Sequence, residues 1–252
     1  MLAKITLKLK SKDEKKITVN MSSVFQGILM ELLDEDYVAK LHIDQRHPYS
    51  QHIKSEDNII YWTVTSLNKE AYEKIILRLL TSELTQIYSK YHDITLEIQD
   101  KKLECIEEQE FLQKQYFKDF ARTFDVTFLT PVSFKSNGRY MNYPTVRWLF
   151  QSLMNKHDCA EEVNKIFDED VLQIIEEQVS IVQYKLRSTT FYLEGMKIPS
   201  FIGNIRLHAK CNQSIVNLIN YLLKYGEYSG VGIKCAIGMG AISVESKERK
   251  DK

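Results

Sequence analysis

The sequence contains no CxxC pair; its four cysteines, Cys105, Cys159, Cys211 and Cys235, lie far apart. That argues against a zinc ribbon or a dithiol redox centre and fits a reducing, cytoplasmic setting. No apolar run approaches the ~20 residues that span a bilayer. The opening decapeptide, MLAKITLKLK, alternates apolar and polar residues and lacks a signal-peptide core. Net charge is also missing, because 34 basic side chains offset 34 acidic ones. What is present is the composition of a folded chain: 252 residues, 44% hydrophobic and 27% charged. A chain of this length buries a core without a disulfide or metal staple, as one large domain or two ordinary ones.

The zero net charge hides a division. Residues 157–179 carry eight acidic side chains against one lysine, whereas residues 180–243 carry seven Lys or Arg against two Glu. A polyanion responds to the face it meets and not to the total. Two solvated faces of opposite sign are the simpler reading of charge alone.

Periodicity supplies the architecture. Period-two alternation predicts a strand at 3–10, and Phe25, Ile28, Leu29 and Leu32 at helical spacing predict a helix capped by Ser22 or Ser23. Residues 34–55 read mostly as loop, with a short strand near 49–54. A β-branched strand follows at 58–66, a helix capped by Asn68 runs to about 81, and 93–110 is extended. Residues 111–124 read as a connector. The order then repeats: a strand at 125–134, helix from Pro144 through the acidic insert to about 178, strands at 180–193 and 199–210 turning at Gly195, a helix at 214–225 and a last strand at 241–245. The predicted class is α+β, two tandem ferredoxin-like (βαββαβ, RRM-like) domains at 1–115 and 116–252.

Five of the nine glycines fall between 226 and 240, four of them in GVGIKCAIGMG, where Gly230, Gly232, Gly238 and Gly240 flank a turn holding Lys234. Glycine permits positive φ and close backbone approach, and exposed N–H groups beside a lysine form an anion nest. A tight α-to-β connection is the competing reading. No GxxxxGK[ST] string occurs, and the glycines follow a helix and precede a strand, the reverse of a P-loop or dinucleotide fingerprint. No cofactor is therefore implied. Backbone contact with a longer polyanion remains.

The segment LHIDQRHPYSQHI holds three of the six histidines, His42, His47 and His52, with Arg46 and Lys54. Imidazole titrates near neutrality. Metal-free RNA cleavage needs a base for the 2′-hydroxyl, a cation for the transition state and an acid for the 5′-oxygen, and these residue types supply all three. A histidine spacing of five does not align on a helix face and no cysteine assists, so a metal site is not predicted. A polar loop is the plainer reading for any one of these histidines. The strand pair 180–210 interleaves Lys185, Arg187, Arg206 and Lys210 with Tyr184, Phe191 and Phe201. Cations grip phosphate and rings stack on bases. The RNP1 string is absent, and aromatics at period two are also ordinary core residues.

Taken together, the FQGILMELL helix, the LH…PYS segment, FLTPVSF and above all the GhG-x5-GhG string resemble the CRISPR repeat-processing endoribonuclease family of the RAMP superfamily, over nearly the whole chain. The resemblance implies two ferredoxin-like domains side by side. It also implies metal-independent cutting of CRISPR precursor RNA within repeats, leaving 2′,3′-cyclic phosphate and 5′-hydroxyl ends. It implies His42 as the family histidine, with Arg46, His47 or Lys54 assisting. Met30 stands where some members carry a tyrosine. The glycine loop, with Lys234, and the basic strands (Lys185, Arg187, Arg206, Lys210) would hold the RNA. CRISPR repeat RNA is the implied partner, with other CRISPR effector-complex proteins as further candidates; monomer and homodimer both stay open. A non-catalytic RNA-binding RAMP subunit and a protein-docking scaffold using the acidic insert are the alternatives.

Overall fold

The computed structural model describes residues 1–11, 17–43, 47–89, 93–160 and 164–249. Its first half is built on strand β1 (Leu2–Ser11), helix α1 (Ser22–Leu32), helix α2 (Glu35–Ile43), strands β2 (Tyr49–Glu56) and β3 (Ile59–Ser66), helical turns α3 (Lys69–Ala71) and α4 (Leu77–Leu80), and strands β4 (Gln86–Ser89) and β5 (Ile94–Ile106). A π-turn at Tyr72–Ile76 joins α3 to α4. The sheet order is β2-β3-β1-β5-β4, antiparallel where strands pair. Without β4 this is the split-βαβ arrangement. Ile5, Leu7 and Leu9 alternate into a core shared with Phe25, Leu29, Trp62 and Ile75, all at most 1% exposed. Phe25 meets Trp62 edge-on at 5.3 Å.

Helix α5 (Glu108–Gln115) follows, and the second half repeats the theme. It comprises β6 (Thr123–Val132), the short strands β7 (Phe134–Ser136) and β8 (Arg139–Met141), helices α6 (Val146–Ala160) and α7 (Glu169–Gln178), strands β9 (Val179–Leu193) and β10 (Met196–Ala209), helix α8 (Gln213–Ser229) and β11 (Ile242–Glu245). The order β11-β6-β10-β9 gives a second antiparallel sheet of the same topology. The two ferredoxin-like sheets predicted from the pattern are both present. No helix among the described residues is long and apolar enough to cross a membrane.

Four local expectations need correction. Residues 35–43 are helix, not loop; Tyr37 and Leu41, one turn apart, are its buried residues. Ser22 does not cap α1 by accepting an amide; its hydroxyl donates to the Val19 carbonyl at 2.6 Å. The connector holds α5, whose Phe111 packs edge-on against Tyr221 of α8. The acidic insert is not one helix: residues 164–167 are not helical, and Asp168 starts α7 anew by accepting from the amides of Asp170 and Val171. Asn68 caps α3 as predicted, accepting from the Ala71 amide at 2.9 Å.

Candidate active site

The glycine loop lies where the two halves meet. Its turn, a 3₁₀ helix at Cys235–Ile237, packs against β2 and α1, and Ala236 joins the core of the first half. Gly238 (φ +108°) lies so close to the start of α1 that an added Cβ would stand 2.2 Å from the Ser22 Cβ. At Gly240 (φ +78°) a Cβ would fall 2.1 Å from the Val231 oxygen. These two glycines are required by internal packing, as the tight-connection reading anticipated.

The loop's amides divide sharply. Those of Gly230, Val231, Gly232, Ile233 and Gly240 donate to Gly226 O, Gly240 O, Ser152 Oγ, Ser133 O and Pro131 O at 2.8–3.0 Å. Ile237, Gly238 and Met239 close the turn onto Lys234 and Cys235 carbonyls. The amides of Lys234, Cys235 and Ala236 find no acceptor among the described residues. Lys234 is in the left-handed conformation (φ +59°) and its side chain is exposed. The amides of Gly230, Gly232, Gly238 and Gly240 are therefore already spent. The loop's amides without an acceptor are thus those of residues 234–236, where Lys234 is exposed and Cys235 and Ala236 are buried.

Beneath the loop, β2 carries buried polar contacts, and those of Ser50 and its neighbour Thr65 cross to the second half. Gln51 of β2, 1% exposed, donates to the Ser22 carbonyl and accepts from Trp62 Nε1, both at 2.9 Å. One residue earlier, Ser50 Oγ donates to the Tyr228 carbonyl at 2.7 Å, and Thr65 Oγ1 reaches the same oxygen at 2.6 Å. Lys4 lies 5.0 Å over the Tyr228 ring. The end of α8 is thus pinned to the face of the first sheet just where the glycine loop begins.

His42 lies in the last turn of α2, exposed, between buried Leu41 and Ile43, which is 81% exposed. Two residues before it, Lys40 Nζ reaches Glu70 at 2.7 Å, placing this end of α2 beside the start of α3. The same end of the sheet holds the entry to β2, where the Leu67 amide donates to the Pro48 carbonyl. His47 is half-buried there, its ring 5.5 Å from that of Tyr49. Burial holds the Tyr49 phenol well above its ordinary range. Arg46 lies outside the described residues. Lys54 is not beside His47: it is five residues along β2 from Tyr49, about 17 Å at strand rise, two residues past His52, and is paired to Glu56 at 2.6 Å. His52 is a framework residue on the sheet face carrying Thr63; burial, with Lys4 adding to it, pushes its imidazole down to about 4. Met30 is half-buried against the first core.

The basic strands also divide. Lys185 and Arg187 are exposed on one face of β9, in register with Asn204 and Ile202 of β10. Arg206 is held by a two-pronged pair to Asp125, at 2.7 and 2.9 Å, and the guanidinium keeps that carboxyl below its usual range. Lys210 is exposed just beyond β10. Phe191 and Phe201 are core residues, whereas Tyr184 is 71% exposed.

Comparison with known proteins bears on the family and the fold. The family model described as CRISPR-associated endoribonuclease Cas6 matches residues 126–242, the stretch that ends in the glycine loop and enters β11. The CRISPR-associated endoribonuclease Cas6 of Streptococcus thermophilus is 34% identical over 233 residues, covering 90% of this chain and 91% of its own. The namesake in Mycobacterium tuberculosis is 27% identical over 249 residues, 98% of this chain and 79% of its own. A solved Cas6 product complex, 17% identical, superposes with a TM-score of 0.81 over 97% of this chain and 99% of that one. Because the Streptococcus relative matches across both halves and beyond the glycine signature, the chain belongs to the Cas6 family of CRISPR-associated endoribonucleases.

Proposed function

We propose that this protein cuts CRISPR precursor RNA within its repeats by letting a ribose attack its own 3′ phosphate, without a metal ion. The relatives named as CRISPR-associated endoribonucleases, and a similar fold solved as a Cas6 product complex, support the substrate class. The observation that carries the site is the trio of free amides at 234–236, docked on the β2 edge whose lead-in segment bears His42 and His47.

In this reading the 2′-oxygen forms a bond to phosphorus while the bond from phosphorus to the 5′-oxygen breaks. One group takes the 2′-hydroxyl proton and another protonates the departing oxygen. His42 is assigned one of these transfers and His47 is the nearest described candidate for the other. The three amides and Lys234 stabilise the extra charge on the phosphoryl oxygens, as donors fixed before the reaction begins. The products are a 2′,3′-cyclic phosphate and a 5′-hydroxyl. Lys185, Arg187 and Lys210 add charge for the flanking RNA. The proposed units are 1–115, bearing the histidines, and 116–252, bearing the nest, with α5 of the first docked on α8 of the second.

Single-turnover cleavage of the cognate repeat in EDTA tests the assignment. His42→Ala is expected to lose ~10²–10⁴-fold in rate. An unchanged rate removes His42 from the chemistry, abolition of wild-type cleavage by EDTA removes the metal-free mechanism, and a 3′-hydroxyl end on the product removes the ribose attack.

A further inference from the structure

Helix α5 and the start of the acidic insert, which the RNA-cleaving reading leaves unused, border one groove of about 620 Å³. Its near wall is one side of α5, where Leu112 and Tyr116 stand one turn apart with Phe117 just beyond. Its floor is Leu218 and Tyr221 of α8, and its far wall is Ile166. The apolar surface is open: Phe117 is 60% exposed, Leu112 36%, and Phe167, next to Ile166, 38%. The groove is also preformed. Phe111 fixes α5 to α8 by meeting Tyr221 edge-on at 5.3 Å, and Asn220 Nδ2 donates to the Gln115 carbonyl at 2.8 Å. Asp158 holds the far wall by accepting from the amides of Ile166 and Phe167 at 2.7 and 3.0 Å, and His157 Nε2 is hydrogen-bonded to the Tyr221 hydroxyl. A surface already set in its binding shape loses little freedom when it is covered.

Charge and backbone chemistry narrow the occupant. Residues 103–113 hold four glutamates, Glu104, Glu107, Glu108 and Glu110, and no Lys or Arg. Glu108 lines the groove, and its charge reaches the His157 imidazole. Among the described residues neither Glu107 nor Glu108 has a Lys or Arg within ion-pair distance, whereas Glu104 is answered by Lys102 and Glu110 by Lys114. The far wall runs at once into Asp168, Glu169 and Asp170, all exposed, of which Glu169 is paired to Arg147. Lys165 is the one basic residue in 164–170. An anionic rim repels nucleic acid and attracts a cationic partner. The lining residues belong to helices and a loop, so the groove offers no strand edge. An extended peptide would set unpaired N–H groups against Leu218 and Tyr221, but a helix satisfies its own backbone. The line from Glu108 to Tyr116 rises ~12 Å at helical spacing, room for about two turns of a partner helix.

We propose that the groove between α5 and residues 164–167 docks a short basic amphipathic helix of a protein partner, whose apolar side chains seat on Leu112, Phe117 and Leu218 while its Lys or Arg residues meet Glu107 and Glu108. The site uses no residue assigned to RNA, so it stands or falls apart from the RNA-cleaving reading.

Fluorescence anisotropy with the full chain and a labelled synthetic helix, Leu on one side and Lys on the other, tests this. One companion peptide carries Glu in place of every Lys; a second has the same residues in an order without an apolar side. The Leu/Lys helix should bind, and both companions should bind roughly tenfold more weakly or worse. Leu112→Ser/Phe117→Ser should weaken the Leu/Lys helix on the order of tenfold, as loss of seated anchors does. Glu107→Lys/Glu108→Lys should weaken it too and let the Glu companion bind, a reversal that fades at high salt. Glu97→Lys/Asp100→Lys, which reverses two exposed acids of β5, is the charge control and should bind as wild type does. Thermal melting of each variant shows that the fold is kept. No binding by the wild type, equal binding of all three peptides, or unchanged affinity in either groove variant overturns the proposal. Displacement of the helix by oligouridine overturns it by making the groove a nucleic-acid surface. A dimer in sedimentation that falls apart in Leu112→Ser/Phe117→Ser overturns it by making the occupant a second copy of this chain.

Discussion

A methyl group at position 238 has no room. The backbone there has φ +108°, and the new atom would stand 2.2 Å from Ser22 Cβ, itself fully buried. Left-handed backbone alone costs about 1–2 kcal/mol for a residue with a Cβ, before the collision is relieved by lifting the loop from α1. Gly238→Ala should therefore lower Tm by several degrees and slow cleavage together, as differential scanning and single-turnover kinetics would show. Arg206 is the converse case: its charge is already answered by Asp125 on an exposed sheet face. Such exposed pairs contribute at most about 1 kcal/mol to stability. Asp125→Asn should leave Tm nearly unchanged and tighten RNA binding by freeing the guanidinium, measured as a lower Kd at low salt that converges on wild type at high salt. Glycine spacing alone pointed to the loop, but it could not say which amides stay open, because Ser133, Ser152 and Pro131, the acceptors that occupy the others, are far away in sequence.

Among the elements, the strands were legible where alternation was strict, as in β1 and β9, or where β-branched and aromatic residues cluster, as in β3. The chain hid α2 because EDYVAKLHI buries only Tyr37 and Leu41, too thin a stripe to stand out from a polar loop. The β7–β8 hairpin was overlooked because its strands are three residues each, although the Asn-Gly at its tip is a turn signal in its own right. β2 matters beyond its share of the sheet. Through Gln51 it joins the start of α1 to Trp62 of β3 and lies beside Gly238. Gln51→Leu would leave the Trp62 indole N–H buried without a partner, at about 1–3 kcal/mol, while the Ser22 carbonyl keeps its place in the hydrogen-bond ladder of α1. Denaturant unfolding should show a lower midpoint with unchanged slope, and Gln51→Glu, which keeps one acceptor for the indole, should fall between.

At the scale of the whole molecule, a half-buried histidine and a buried one set the acid limit. Burial lowers the His52 pKa to about 4 and also lowers that of His157, which is 2% exposed and hydrogen-bonded to the Tyr221 hydroxyl at 3.0 Å. In the unfolded chain both would titrate near 6.5. Between the folded and unfolded values the unfolded state binds more protons, so stability rises with pH across that window and is lost as pH falls from about 6.5 toward about 4. Thermal melts across that range should show Tm falling with acid, and His157→Gln should flatten part of the slope. The tandem repeat itself was readable from element order, but the way the halves lock together was not. That lock depends on Ser50, Thr65 and Tyr228 meeting across the molecule.

The wedge of the 235–237 turn against α1 and β2 has a consequence for inheritance. The donors that would grip phosphate come late in the sequence, while the surface that shapes them comes some two hundred residues earlier. A chimera joining halves of two relatives should stay inactive, however well each half folds, unless Ser22, Gln51 and the whole of 230–240 come from the same parent.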